Sequence, residues 1–197
     1  MTQNDKSHNI QQDSELVKRL NRADLRARKH ERSSFHDIER TPIVLVFDGV
    51  FGNYNQGAIF RLCDAFMVEK VYFCSAEIMP GHRRFLKAAR GTHKWVPHEA
   101  GGDTLTVLRS YAERGYQVII AEQCEGSVSI LEADICSPVC IVLGGELAGV
   151  SSEVLPLADH IVELPSLGMA NSLNVAMSAG MLVMSAYESF KKNSGQR

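Results

Sequence analysis

The chain is poor in the features that would place it at once. Its 197 residues include five cysteines and a single tryptophan. An odd cysteine count without zinc or redox spacing argues against a disulfide-built scaffold and a cysteine-ligated metal centre. Cys136 and Cys140 stand four apart, but no third or fourth ligand lies near them. His93, His98 and His160 also lack metal spacing. Reduced thiols and no bound metal are the expectation. There is no long hydrophobic run: the most apolar stretch, Val175 to Ala186, is too short and too rich in Ser and Gly to span a bilayer. The first residues are polar with acids among them, unlike a secretory signal. A cytoplasmic protein without membrane contact is expected. Net charge is nearly absent too, at -2, which taken alone argues against a nucleic-acid binder. No internal repeat or low-complexity segment appears.

What is present is an ordinary globular composition, 45% hydrophobic and 22% charged, long enough for one domain with an appendage. Residues 1 to about 13 are polar and expected to be disordered. Ser14 would cap a helix to about Arg32, with Leu16, Leu20, Ala23 and Ala27 at helical spacing. From residue 41 onward apolar runs alternate with helical patterns. Strands are expected at Ile43–Phe47, Lys70–Cys74, Trp95–Val96, Gln117–Ala121, Pro138–Leu143 and Ile161–Leu164. Helices are expected at Gln56–Phe66, Arg83–Ala89, Asp103–Arg114 and Ser172–Phe190. That alternation predicts an α/β fold, a mostly parallel sheet with helices on both faces. The domains are then a basic helical extension over 1–40 and an α/β domain over 41–197.

The charges are unevenly spread. Between Lys18 and Arg40 eight Lys/Arg face four acids, and between His82 and Lys94 five Lys/Arg stand without an acid. Such clusters are what a phosphate-binding surface requires, although a solvated helical face has the same look. The candidates for RNA contact are Arg26 and Lys29 in the first cluster, and Arg83, Arg84, Lys87, Arg90 and Lys94 in the second. Trp95 beside them either stacks on a base or belongs to the core.

Three segments carry the chemistry. Asn55-Gln56-Gly57-Ala58-Ile59-Phe60-Arg61 has the pattern N-x-G-A-x-x-R, Gly144-Gly145-Glu146-Leu147-Ala148-Gly149 has G-x-E-x-x-G, and Ser172-Leu173-Asn174-Val175 reads S-L-N-V. All three follow predicted strands, where open α/β sheets bind ligands. In order and spacing, over roughly 43 to 188, they resemble the motifs of the SpoU/TrmH family of RNA ribose methyltransferases, part of the SPOUT superfamily. The resemblance implies an enzyme that uses S-adenosylmethionine to methylate a ribose 2′-OH in tRNA or rRNA. The short extension and the Arg61-Leu62-Cys63-Asp64-Ala65 stretch lean toward tRNA. It also implies a deep C-terminal trefoil knot and a homodimer formed through that end. The helix after Asn174, apolar all round, suits burial in a core or an interface.

Residue by residue, the resemblance implies that Arg61, Asn55, Glu146, Asn174 and Ser172 are catalytic. It implies a cofactor pocket of Leu143, Gly144, Gly145, Gly149, Leu164, Pro165, Ser172 and Leu173. Many relatives have a polar residue where Gly145 stands. Arg61 either acts on the 2′-OH as a general base or grips a neighbouring phosphate; a guanidinium rarely loses its proton, which favours the grip. An ion pair with Asp64 is the plain structural reading of Arg61, and an N-cap that of Asn174. The rival readings are a non-catalytic RNA-binding protein of the same fold, a methyltransferase built on Asp48-Gly49-Val50-Phe51-Gly52, and a nicotinamide enzyme. The last is opposed by the absence of G-x-G-x-x-G spacing.

Overall fold

The computed structural model describes residues 19–29, 31 and 35–195. Contacts divide the chain after Glu39. The first unit holds α1 (Arg22–Ala27), six residues long. Asn21 opens it with a capping box: its side chain accepts from the Ala23 and Asp24 N–H groups, and Asp24 accepts from the Asn21 N–H at 2.9 Å. This reciprocal pair satisfies the first-turn donors and fixes the start seven residues after the expected cap. Ser14 lies outside the described residues. α1 buries none of its residues, and Arg26 stands in its last turn.

The second unit is built on a seven-stranded sheet in the order β3-β2-β1-β6-β4-β7-β5, with every neighbouring pair parallel. The strands are β1 (Thr41–Asp48), β2 (Val68–Cys74), β3 (His98–Ala100), β4 (Gln117–Ala121), β5 (Val128–Ser129), β6 (Val139–Gly144) and β7 (His160–Glu163). β1 is apolar on both faces and lies inside the sheet between β2 and β6, as buried parallel strands do. Ile43, Leu45 and Phe47 point to one side, where α2 (Asn53–Ala65), α3 (Arg83–Ala89) and α5 (Val175–Asn193) pack. Val44 and Val46 point to the other, under α4 (Thr104–Glu113). The helices thus cover both faces, as the alternating pattern predicts.

One expected strand fails for a local reason. Trp95 and Val96 form no strand: Thr92–Lys94 is a turn of 3-10 helix that Trp95 closes, and the strand begins at His98. Trp95 is half-buried, packs against the core and donates its indole N–H to Asp64 at 2.6 Å, which answers the choice between base stacking and core. The short β5 carries too little pattern to be seen beforehand. Within this chain α5, expected in a core or an interface, buries one face only. Val175, Ala179, Leu182, Val183 and Ala186 pack inward, but Met177, Met181 and Met184 are 56%, 45% and 55% exposed. These methionines recur at i, i+4 and i+7, one continuous face.

Candidate active site

Strand order reverses at β1. From there β2 and β3 run one way and β6, β4 and β7 the other, so a crevice forms beyond the carboxyl ends of β1, β6 and β4. The crossing is held by Asp48, the last residue of β1 and only 3% exposed. Its carboxylate accepts from the Thr104 hydroxyl at 2.8 Å and from the Ser151 N–H and hydroxyl at 2.9 and 2.7 Å. Its carbonyl accepts from the Gly145 N–H at 2.8 Å. The loop from Asp48 to Gly52 is therefore spent on internal bonds, and the rival reading of it as a nucleotide loop falls.

At the rim of this crevice the three motifs meet. Asn174 caps α5, its side-chain oxygen accepting from the Ala176 N–H at 3.1 Å. Its amide nitrogen donates to the Asn55 side-chain oxygen at 2.9 Å, and the Asn55 amide nitrogen donates to Glu146 at 2.5 Å. These residues are 119 and 91 positions apart in sequence. The direction of the chain follows from its ends. A helix N-terminus offers only donors and a carboxylate only accepts, so each intervening amide has one orientation that satisfies both neighbours. Asn174 is thus an N-cap and a bridge to Asn55 together.

Beneath the rim lies a cavity of about 240 Å³. Leu143, Val162, Leu164 and Leu173 supply apolar wall, and Gly144, Gly145, Gly149, Glu146 and Ser172 complete the near side. Pro165 does not line it; it borders the adjoining groove with Leu167 and Gly168. Two of the glycines are required by the packing of the loop itself. A Cβ on Gly144 would sit 2.0 Å from the carbonyl carbon of Gly149, and one on Gly145 would sit 2.3 Å from the carbonyl oxygen of Gly49. Backbone packs on backbone there, and glycine is required before any ligand arrives. Glu122, which sequence reading passed over, pins this loop. Its two carboxylate oxygens accept from the Gln123 and Val150 N–H groups, each at 2.9 Å, and it lines the cavity. The available signal was an acid directly following a strand, at the ligand-binding end of the sheet.

Arg61 stands on α2, exposed, and makes no hydrogen bond or ion pair with any described residue. The alternative pairing with Asp64 is not formed; Asp64 accepts instead from the Trp95 indole N–H. Arg61 lies instead across a separate cleft from Lys87 and Arg90. Arg83, Arg84 and Lys94 are exposed on and after α3, while Arg26 and Lys29 belong to the first unit. Among the described residues no three His, Cys, Asp or Glu side chains gather as a metal site would need. Burial raises the thiols of Cys63, Cys74 and Cys140, with Cys74 pushed up to about 11, so these cysteines are poor nucleophiles.

The sequence profile of the SpoU rRNA Methylase family matches residues 42–184, which include all three motifs. The chain belongs to that family. It is 34% identical over 146 residues to a tRNA (guanosine(18)-2'-O)-methyltransferase of Aquifex aeolicus, covering 73% of this chain and 68% of that one. Against the enzyme of the same name from Thermus thermophilus it is 32% identical over 144 residues, 73% of each. Among solved structures, the A. aeolicus TrmH/SpoU tRNA modifying enzyme superposes with a TM-score of 0.71 at 29% identity, over 83% of this chain and 84% of that one. An AdoMet-bound rRNA methyltransferase from Sinorhizobium meliloti gives 0.69 at 26% identity, over 81% and 62%.

Membership in the family accounts for the spacing of the SpoU motifs but leaves Glu122 and Asp48 to the structure. Both are carboxylates that hold loops through backbone and side-chain donors. In the SpoU arrangement seen here, Ser172 is exposed at the cavity and without a side-chain partner among the described residues.

Proposed function

We propose that this protein is an S-adenosylmethionine-dependent methyltransferase acting on a ribose 2′-OH of RNA, with tRNA favoured over rRNA. The observation that carries it is the hydrogen-bonded chain Asn174–Asn55–Glu146, which joins the three motifs above a cavity at the switch point of the sheet. The cavity's chemistry suits the cofactor. Leu143, Val162, Leu164 and Leu173 offer apolar surface for a flat base. The carboxylates of Glu122 and Glu163 suit hydroxyl groups and positive charge. When bound, S-adenosylmethionine supplies a methyl group already activated by a sulfonium, so what is asked of the protein is chiefly positioning.

The chain's own residues divide that work. Asn55, locked by Glu146 and Asn174, presents a fixed polar edge where the acceptor ribose enters. Ser172 offers a free hydroxyl on the cavity side. Arg61 grips the adjacent phosphate through two N–H donors and stabilises negative charge developing on the 2′ oxygen. It does so without giving up its proton. The domain that does this is residues 41–197, with 1–40 as a basic extension supplying Arg26 and Lys29 to RNA. Arg83, Arg84, Lys87, Arg90 and Lys94 form the main phosphate-facing surface.

The protein works as a homodimer through its C-terminal, knotted region. The exposed row Met177, Met181 and Met184 supports the dimer, because apolar faces of this kind mark partner contacts. The path of α5, returning from β7 to pack on α2, β1 and β6, supports the knot. No helix among the described residues is long and apolar enough to cross a membrane. An enzyme acting on such RNA belongs in the cytoplasm.

The test is calorimetric titration with S-adenosylmethionine and S-adenosylhomocysteine, mass in solution recorded alongside, followed by methylation of tRNA and rRNA. Micromolar binding by a dimer and a new 2′-O-methyl mark are expected. Arg61→Ala is expected to keep fold and cofactor affinity while losing at least about a hundredfold in turnover, as when one preorganised charge donor is removed. A rate near that of the wild type would remove Arg61 from the mechanism.

A further inference from the structure

The basic cleft beside α2 sets Arg61, Lys87 and Arg90 around an aromatic residue, Tyr54, that the methyl-transfer site does not account for. It measures about 390 Å³ and is lined by Tyr54, Ala58, Arg61, Lys87, Ala88 and Arg90. Tyr54, Ala58 and Arg61 recur at i, i+4 and i+7 of α2, so they form one face, with the small Ala58 as floor between an aromatic ring and a guanidinium. Tyr54 is 61% exposed, and its hydroxyl has no hydrogen-bond partner among the described residues. The ring is thus open to stacking by a planar ligand. Lys87 and Arg90 form the opposite wall, and neither has an acidic partner among the described residues.

Two features show that the cleft is built. α2 and α3 meet at Gly57, where a Cβ would lie 2.6 Å from the Phe85 carbonyl oxygen and 2.9 Å from the Ala88 Cβ. Only glycine allows the helices to approach so closely, and that approach sets the distance from Tyr54 and Arg61 to Lys87 and Arg90. Arg90 itself closes α3 in the left-handed region, at φ 53°, a conformation that favours glycine. Strain of this sort is retained where a side chain is needed in place.

We propose that this cleft is a subsite for the nucleotide flanking the methylated one: its base stacks on Tyr54 and its phosphate sits between Lys87 and Arg90. The inference rests on the methyltransferase reading in taking the target to be RNA and in placing the acceptor ribose at Asn55; stacking on Tyr54 needs only the first. Tyr54 directly precedes Asn55, so a base stacked there adjoins the ribose at the rim. Stacking is indifferent to base identity, so the subsite contributes affinity and register rather than sequence choice.

The experiment measures binding of a fluorescein-labelled, mixed-sequence single-stranded oligoribonucleotide by anisotropy over a salt series. S-adenosylhomocysteine affinity and Tm are measured on the same samples. Tyr54→Ala is expected to weaken RNA binding about tenfold and Tyr54→Phe to retain it, with cofactor affinity unchanged in both. Lys87→Gln and Arg90→Gly should each flatten the slope of log Kd against log salt by about 0.7. Arg90→Gly also relieves the left-handed backbone, so its Tm should hold or rise and its loss of binding cannot be unfolding. Wild-type affinity in Tyr54→Ala, an unchanged salt slope in both charge variants, or no RNA binding by the wild type overturns the proposal. The expected Tyr54 effects without cofactor binding would support the subsite and remove the methyltransferase reading instead.

Discussion

Asp48 shows how a single side chain can hold a site together without touching substrate. Its buried carboxylate takes three donors, from Thr104 and Ser151, and so ties the end of β1 to the start of α4 and to the loop after β6. Removing it leaves the buried Thr104 hydroxyl unpaired, while the exposed Ser151 can turn to water, and one such hydrogen bond to a charged group is worth about 1.5–3 kcal/mol. Asp48→Ala is expected to lower the free energy of unfolding by about 1.5–3 kcal/mol, read by urea denaturation, and to loosen the cavity loop as well. Wild-type stability would mean that Thr104 and Ser151 find other partners. In the sequence this residue looked like the first letter of a glycine-rich loop. Its role became visible only with the positions of Thr104 and Ser151, 56 and 103 residues away.

Among the elements, α2 and α3 depend on each other more than either sequence suggests. α3 is seven residues long, with Phe85, Ala88 and Ala89 buried, and it leans on α2 at Gly57. Gly57→Ala would drive a methyl group into the Phe85 carbonyl, and overpacking of this kind costs about 1–3 kcal/mol. The expected result is a folded protein with α3 pushed outward: RNA affinity falls while S-adenosylhomocysteine still binds, since Gly144 and Leu164 stay in place. Calorimetry paired with anisotropy would show it; equal loss of both affinities would instead indicate general unfolding.

Element boundaries were largely legible from pattern. The continuous apolar run of β1, the Asp103 cap of α4 and the stop at Gly115 all announce themselves through local chemistry. So did the residues that meet at the site, because the N-x-G-A-x-x-R, G-x-E-x-x-G and S-L-N-V patterns are contiguous. What stayed hidden depends on three-dimensional neighbours. Glu122 looks like any acid after a strand, the pairing of Asp64 with Trp95 rather than Arg61 spans 31 residues, and the sequence does not say which side of α5 this chain leaves uncovered, because methionine suits both settings.

For the molecule as a whole, stability should depend on pH through His93. Its ring packs edge-on against Phe60 and Phe85, and Nδ1 is buried without a hydrogen-bond partner. Burial first, then the nearby charges of Lys94 and His98, lower its pKa below the ordinary value of 6.5. The unfolded chain therefore binds a proton before the folded one does. The contribution is complete above about pH 6.5 and is lost as the pH falls from there toward the folded value. Tm should drop between pH 7 and pH 5, and His93→Phe should shrink that drop; an identical pH profile in the variant would assign the effect elsewhere.

The amide chain at the rim has a consequence for how activity arises during folding. Its members come from the segment after β1, the segment after β6 and the cap of α5, and each is oriented only by the next. A chain folded as far as β6 holds Asn55 and Glu146 but leaves the Asn55 oxygen unclaimed, free to turn. The last helix to be made is the one that removes that freedom. Asn55 is therefore held from both sides only when α5 is docked, and the polar edge it presents is set by the last helix of the chain.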